Sequence, residues 1–409
     1  MIKKITSLLM LLCMITLSAQ ENKRISGKVV DAETGDPLAF SHVGIFNSSY
    51  GTVANAEGDF SLIIPSEYRA AELSASYLGY ALKSIPIVAI ENTNEVKISL
   101  TPMVTELPEL VIQTKEKSII EEAVEAIPLN HDQGEMQLRA FWRSSLWNKA
   151  KAYVQMTEYA FDMFRHGESG REKNDMKILH GRVARDTAFF RAIGGVQIGV
   201  TPPSLFTNSL LKGYPILDQK VIKNHDYKIV DVTSYQERAV YVVGFEPKAK
   251  AKGSLFKGEI LLDTETLAFV KISYKKLISK EDPEKVFSSF GLASILVGLG
   301  NSTQDRYEID MNYQYVNGLW YLSYARYDID WTIRRSKKDI IRPLTLKADF
   351  VVTEIEKEDI NVPPSEELAS KSILQQQTAK GTKDFWNAYN YLKPDNDFDR
   401  LFEEILDRE

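Results

Sequence analysis

From Arg24 onward apolar side chains recur at every second position, in short runs closed by turn residues, and that period demands strands with one buried face. Ile25-Ser26-Gly27-Lys28-Val29-Val30-Asp31 is the first run, and Thr34-Gly35-Asp36-Pro37 supplies its turn. Further strands are expected at 41–46, 51–54, 59–64, 72–77, 81–88 and 96–100. Seven short strands at this spacing imply a seven-stranded β-sandwich within residues 21–102.

The strand period resumes over 136–361. Residues 138–146 and 151–164 read as a long hairpin, followed by strands at 227–232, 239–245, 258–263, 268–274, 307–315, 320–331 and 344–355. Asn317-Gly318 is a two-residue hairpin signature. The expected fold class is therefore mainly β, with the sandwich followed by a large curved antiparallel sheet, half-barrel-like, that needs cover on one face. Linker residues 103–135 place Ile119, Ile120, Ala123, Val124 and Ile127 on one helical face, and Pro128 is expected to stop that helix. A helical tail, 362–409, ends in the amphipathic run Phe398–Glu409, with Asp395-Asn396-Asp397 as its N-terminal cap. These helices are the expected covers of the sheet.

Residues 1–20 read as an address. Lys3 and Lys4 precede the apolar stretch Ile5–Leu17 and the small-residue exit Ser18-Ala19-Gln20, the pattern of a secretory signal peptide. Leu12 is bulky where a lipoprotein signal carries a small residue before its cysteine, which argues against lipidation at Cys13. Cleavage removes Cys13, the only cysteine, so disulfides and thiol chemistry drop out. It also takes the formal charge from −6 to −8, a balance unsuited to nucleic acid. The expectation is an exported protein of the periplasm, associated with the outer membrane and not crossing it.

The runs Ile25–Asp31, Gly35-Asp36-Pro37-Leu38, Gly51-Thr52-Val53, Glu57-Gly58-Asp59-Phe60-Ser61-Leu62 and Ser76-Tyr77-Leu78-Gly79-Tyr80 together resemble the carboxypeptidase-like regulatory domain. That module precedes the plug of SusC-type TonB-dependent outer-membrane transporters, and Leu107-Pro108-Glu109-Leu110-Val111-Ile112 is similar to the segment closing it there. The resemblance implies the sandwich fold and a place at the outer membrane, not peptidase activity. The roughly 295 residues that follow are too few for a plugged 22-stranded barrel. Gly258–Thr266 is similar to a hairpin of LolA/LolB-type lipoprotein-sorting half-barrels. Residues 138–143 through 158–163, with Asp384–Asn390, resemble uncharacterised envelope proteins that pair this region with the regulatory domain.

Catalytic patterns are missing from the sequence. None of His42, His131, His166, His180 and His225 has the spacing of a zinc peptidase, and no nucleophile elbow, P-loop or dinucleotide fingerprint occurs. No metal, cofactor or catalytic residue is assigned. Two stretches free of charge, 192–211 and 286–304, must be buried or meet something apolar. In the second, Phe287, Phe290, Leu292, Ile295, Leu296 and Leu299 are candidate contacts to a lipid or membrane, or else core. The function expected is a non-enzymatic scaffold docking on an outer-membrane protein. A carrier or sensor of lipid or lipoprotein is the alternative, and an envelope glycan- or peptide-acting enzyme is a third.

Overall fold

The structure, a computed structural model, describes residues 22–103, 118–148, 152–166, 175–192, 215–253, 255–278, 303–334, 340–358, 360–368, 389–395 and 398–407. Seven strands build the N-terminal sandwich: β1 (Lys23–Asp31), β2 (His42–Ile45), β3 (Gly51–Val53), β4 (Asp59–Ile64), β5 (Glu72–Ser76), β6 (Lys83–Pro86) and β7 (Val96–Leu100). They form sheets ordered β4-β1-β7 and β3-β2-β5-β6, with β1 parallel to β7 and every other pair antiparallel. Ile25, Val29, Val43, Phe60, Leu73 and Ile98 close the space between the sheets and are buried. Each such side chain contributes roughly 1.5–3 kcal/mol by leaving water.

Ten strands form the second sheet: β8 (Met136–Asn148), β9 (Tyr153–Arg165), β10 (Asp175–Arg185), β11 (His225–Tyr235), β12 (Arg238–Pro247), β13 (Leu255–Asp263), β14 (Phe269–Leu277), β15 (Thr303–Val316), β16 (Leu319–Arg334) and β17 (Ile340–Glu356). The order β10-β9-β8-β17-β16-β15-β14-β13-β12-β11 joins two antiparallel meanders where β17 returns to pair with β8. The sheet does not close into a barrel, so β10 and β11 are its edges. Strand β10 was not expected from the sequence, because a bulge between Ile178 and His180 interrupts its alternation. Asn317 and Gly318 carry φ of 49° and 91°, the left-handed pair that a two-residue hairpin of this type requires.

The period of two separates the faces. Trp142, Phe161, Ile272, Ile309, Ile329 and Phe350 share one continuous buried core. Their sequence neighbours Arg143, Lys271, Asp310, Asp328 and Asp349 project from the opposite, charged face, as does Arg326, two residues before Asp328. Helix α1 (Ile119–Glu125), opened by a reciprocal Ser118–Glu121 capping box, buries Ile120 and Ala123 in the apolar core. Pro128 does not stop this helix. It sits in the first turn of a second one, α2 (Ile127–Asn130), where its missing N–H costs nothing. Helices α3 (Thr187–Ala192) and α4 (Gln219–Lys223) follow. The last helix, α5 (Phe398–Leu406), packs Phe398, Phe402 and Ile405 on Met156 and Ala184, so it covers the charged face instead of the apolar one. No helix among the described residues is long and apolar enough to cross a membrane.

Two histidines serve the sheet. His131 Nε2 accepts the Phe269 N–H at 3.1 Å, and His225 Nε2 accepts the Phe256 N–H at 2.9 Å. Both Nε2 atoms therefore need the neutral imidazole. Burial holds His131 down at about 3, and burial likewise holds His42 at about 4. The unfolded chain binds a proton at each site near pH 6.5 while the folded chain resists it. Their contribution is thus complete above pH 6.5 and is lost as pH falls toward 4 and 3. Unfolding free energies from urea titrations at pH 7 and pH 5 should differ by about 2 kcal/mol for each of His131 and His42. Equal stability at both values would contradict the buried neutral assignment.

Candidate functional site

Phe287, Phe290, Leu292, Ile295, Leu296 and Leu299 lie outside the described residues, as do all but Ala192 of 192–211. Three described cavities open on the charged face of the large sheet, two of them where the sandwich meets it. Along β2 and β3, Val43 and Ile45 point into the sandwich core while His42 and Val53 point outward. A Cβ on Gly44 or Gly51 would stand 2.9 Å from the His42 ring, so glycine at both positions lets the imidazole lie against the strands. Val53 then reaches Phe141, Tyr324 and Val351 of the large sheet in a small apolar cluster of its own.

Phe40 sits at the centre of this junction. Its φ of 61° is the left-handed region, which costs a bulky residue about 1–2 kcal/mol. Its ring stacks on Tyr324 with centroids 5.3 Å apart and planes 11° from parallel. The Arg326 guanidinium stands 4.6 Å from the Phe40 centroid.

A strap, residues 389–395, runs between the two bodies and bonds to both. Asn390 Oδ1 accepts the Ile63 N–H at 2.7 Å on the edge of β4 that β1 leaves open. Thr52 Oγ1 donates to the Tyr391 carbonyl at 3.1 Å, and Arg143 Nη2 donates to the Leu392 carbonyl at 2.8 Å. Leu392 itself is buried in the Val53–Tyr324 cluster. Glu57 bonds to Asp395 at the strap's end, and burial together with that acidic neighbour raises the Glu57 carboxyl above its ordinary range. Two further ties lie outside the strap. Ser49 Oγ donates to the Ile355 carbonyl and accepts the Ile355 N–H, both at 3.1 Å, and Gly79 N–H donates to the Ser234 carbonyl at 2.8 Å.

Beside the strap, Glu158 is fully buried between two arginines. Arg143 Nε donates to one carboxylate oxygen at 2.7 Å and Arg182 Nε to the other at 2.6 Å. Phe398 and Phe402 of α5 cap them, at 4.5 Å from the Arg143 guanidinium and 4.6 Å from that of Arg182.

Three cavities share Arg326, two at the junction and one beside it on the large sheet alone. One of about 400 Å³ lies between His42, Tyr77 and Tyr235 and the sheet residues Asp310, Asn312 and Tyr324. A second, of about 610 Å³, also shares Phe40 and runs past Glu57, Lys347 and Asp349. The third, of about 490 Å³, shares Asp310 and continues over Lys275 and Asp328. The arrangement offers hydrogen bonding and aromatic walls. Among the described residues no group of three or more histidines, cysteines and carboxylates could hold a metal. Nothing in the sequence marks this site, because Phe40, Arg326 and Asn390 are far apart in the chain and match no motif. The one local signal was a bulky residue in the turn region after Pro37, where a strand pattern gives no buried position.

Residues 25–112 match the family model of the CarboxypepD_reg-like domain. No curated protein matches the chain. Among solved structures, the chain is similar to a domain assigned to outer membrane lipoprotein sorting from Vibrio parahaemolyticus, at 11% identity over 63% of this chain and 97% of that one, with a TM-score of 0.24. It is also similar to a DUF1329 family protein from Desulfovibrio piger, at 12% identity over 63% and 98%, with a TM-score of 0.27. A membrane-associated protein of unknown function from Bacteroides fragilis follows at 10% identity over 82% and 99%, with a TM-score of 0.16. These likenesses say nothing about a ligand.

Proposed function

We propose that this chain is an exported, non-enzymatic accessory protein of the cell envelope, a rigid two-module platform on which an outer-membrane protein docks by adding a strand. The observation that carries the reading is the division of the sandwich's edges. The strap takes the open edge of β4, the large sheet takes the outer face at β3, and β6 keeps an exposed edge. A module held in one orientation with the β6 edge open for pairing suits strand addition. Pro86 and Lys83 keep that edge short and charged, which limits indiscriminate pairing. The signal-like residues 1–20 and the regulatory-like domain support the envelope location.

A photoreactive side chain placed at Lys83 or Ser84 in the intact envelope should crosslink to one discrete outer-membrane protein. With the probe at Lys83, Ser84→Pro should abolish the adduct while sparing the sandwich core, since Ser84 is exposed and Ile85 is the residue of this strand that packs inward. Absence of any adduct, or adducts with soluble proteins alone, would remove the docking reading. Acyl chains retained by the purified protein would favour the lipid carrier in its place.

A further inference from the structure

Strand β11 meets the sandwich at Ser234, and its other end, His225, lies about 30 Å away along the strand. At that remote end His225 pairs with Pro247, the last residue of β12, and Leu255 of β13 pairs with Leu277 of β14. Residues 215–228, 246–257 and 275–277, which make up this end, hold nine lysines and three carboxylates, in a chain whose formal charge is −6. Lys220, Lys223, Lys248, Lys250 and Lys252 are exposed and make no ion pair among the described residues. Two of the three carboxylates are already engaged: Asp218 accepts the Lys220 N–H as the cap of α4, and Glu246 pairs with Lys257 at 3.0 Å. The fold holds the lysine loop in place. Lys248 N–H donates to the Asn224 carbonyl at 2.9 Å, Lys248 Nζ to the Lys223 carbonyl at 2.8 Å, and Asn224 Nδ2 to the Lys252 carbonyl at 3.3 Å. Like charges gathered this way repel one another, a cost that an anionic partner removes.

The residue types select the partner. Every basic residue at this end is a lysine, a compact charge on a flexible stem that suits mobile phosphates better than a fixed bidentate acceptor. Alanines alternate with the lysines at 249 and 251, so no bulky side chain holds the loop away from a flat surface. Leu277 is 39% exposed at the same end, beside its register partner Leu255, and offers an apolar contact that acyl chains can take and a hydrated polyanion cannot. We infer that this end of the large sheet binds an anionic lipid bilayer, with the lysines on headgroup phosphates and the sandwich at the far end. The contact is separate from the β6 edge, so a membrane and a docked protein can be held at once.

Vesicle flotation tests this on the chain from Glu21 onward, which omits the signal-like segment and its own affinity for lipid. Vesicles of phosphatidylcholine alone should leave the protein unbound. Vesicles with about 30% phosphatidylglycerol should carry it, less so as salt rises from about 0.1 to 1 M. The triple variant Lys248→Gln, Lys250→Gln and Lys252→Gln should weaken that partition about a hundredfold. Its unfolding midpoint should be retained, since all three side chains are exposed. Arginine at the same three positions should keep the partition within about threefold, because charge makes the contact. Equal partition to both vesicles, indifference to salt, or a glutamine variant that binds as the native chain does would each overturn the assignment. Capture by heparin without capture by vesicles would overturn it as well.

Discussion

Replacing Glu158 by alanine should remove about 3–5 kcal/mol of stability, the cost of leaving buried charge without its partner. Glu158 is 0% exposed, and Arg143 and Arg182 are 6% and 8% exposed. Without the carboxylate, two guanidinium groups would face each other beneath α5, Arg182 keeping the more exposed Asp399 at 2.8 Å and Arg143 left to the Leu392 and Lys393 carbonyls. The loss should appear as a lower urea midpoint with an unchanged denaturant slope. The arginines alone are not the source of the stability. The triple variant Arg143→Met, Glu158→Leu and Arg182→Met, which replaces the whole group with apolar side chains of similar volume, should lose less than Glu158→Ala does. A single variant as stable as the native chain would show that the network is not closed as described.

Leu392→Ala should cost about 2–5 kcal/mol, as for other fully buried leucines cut back to a methyl group. Leu392 is 3% exposed and touches residues of the sandwich and of the large sheet at once. The cost should therefore fall on the junction. Unfolding of the variant should separate into two transitions, because each body keeps its own core while the contact between them weakens. Amide exchange at Ile63, whose N–H is held by Asn390, should accelerate in the same variant. One unaltered transition would place the coupling between the bodies elsewhere.

Strands were legible in the sequence wherever one face meets a core and the other does not. The runs at 59–64 and 96–100 match β4 and β7 residue for residue, and the Asn317-Gly318 turn lies where its backbone preference puts it. Two elements misled for physical reasons. The bulge in β10 breaks the period that would have revealed it. The amphipathic pattern of Phe398–Leu406 gave the helix but not its place, since periodicity tells which side is apolar and not which sheet face receives it. Here the charged face could accept Phe398 and Phe402 because Arg143 and Arg182 present their flat guanidinium groups to the rings. The junction was the least legible part. His42 needs Gly44 and Gly51 beneath it, and Ile63 needs Asn390 from more than three hundred residues away. Pairings at that separation leave no periodic mark.

Held by the strap and the Val53–Tyr324 cluster, sandwich and sheet should move as one rigid body. Since Cys13 is the chain's one cysteine and lies in the signal-like segment, a pair of introduced cysteines can carry unique spin labels. Labels at the exposed positions Glu33 and Glu259, one on each body, report their separation by pulsed electron resonance. A single narrow distance distribution is expected, one that broadens in the Leu392→Ala variant. A broad distribution in the native chain would mean that the two bodies move independently, and would contradict it.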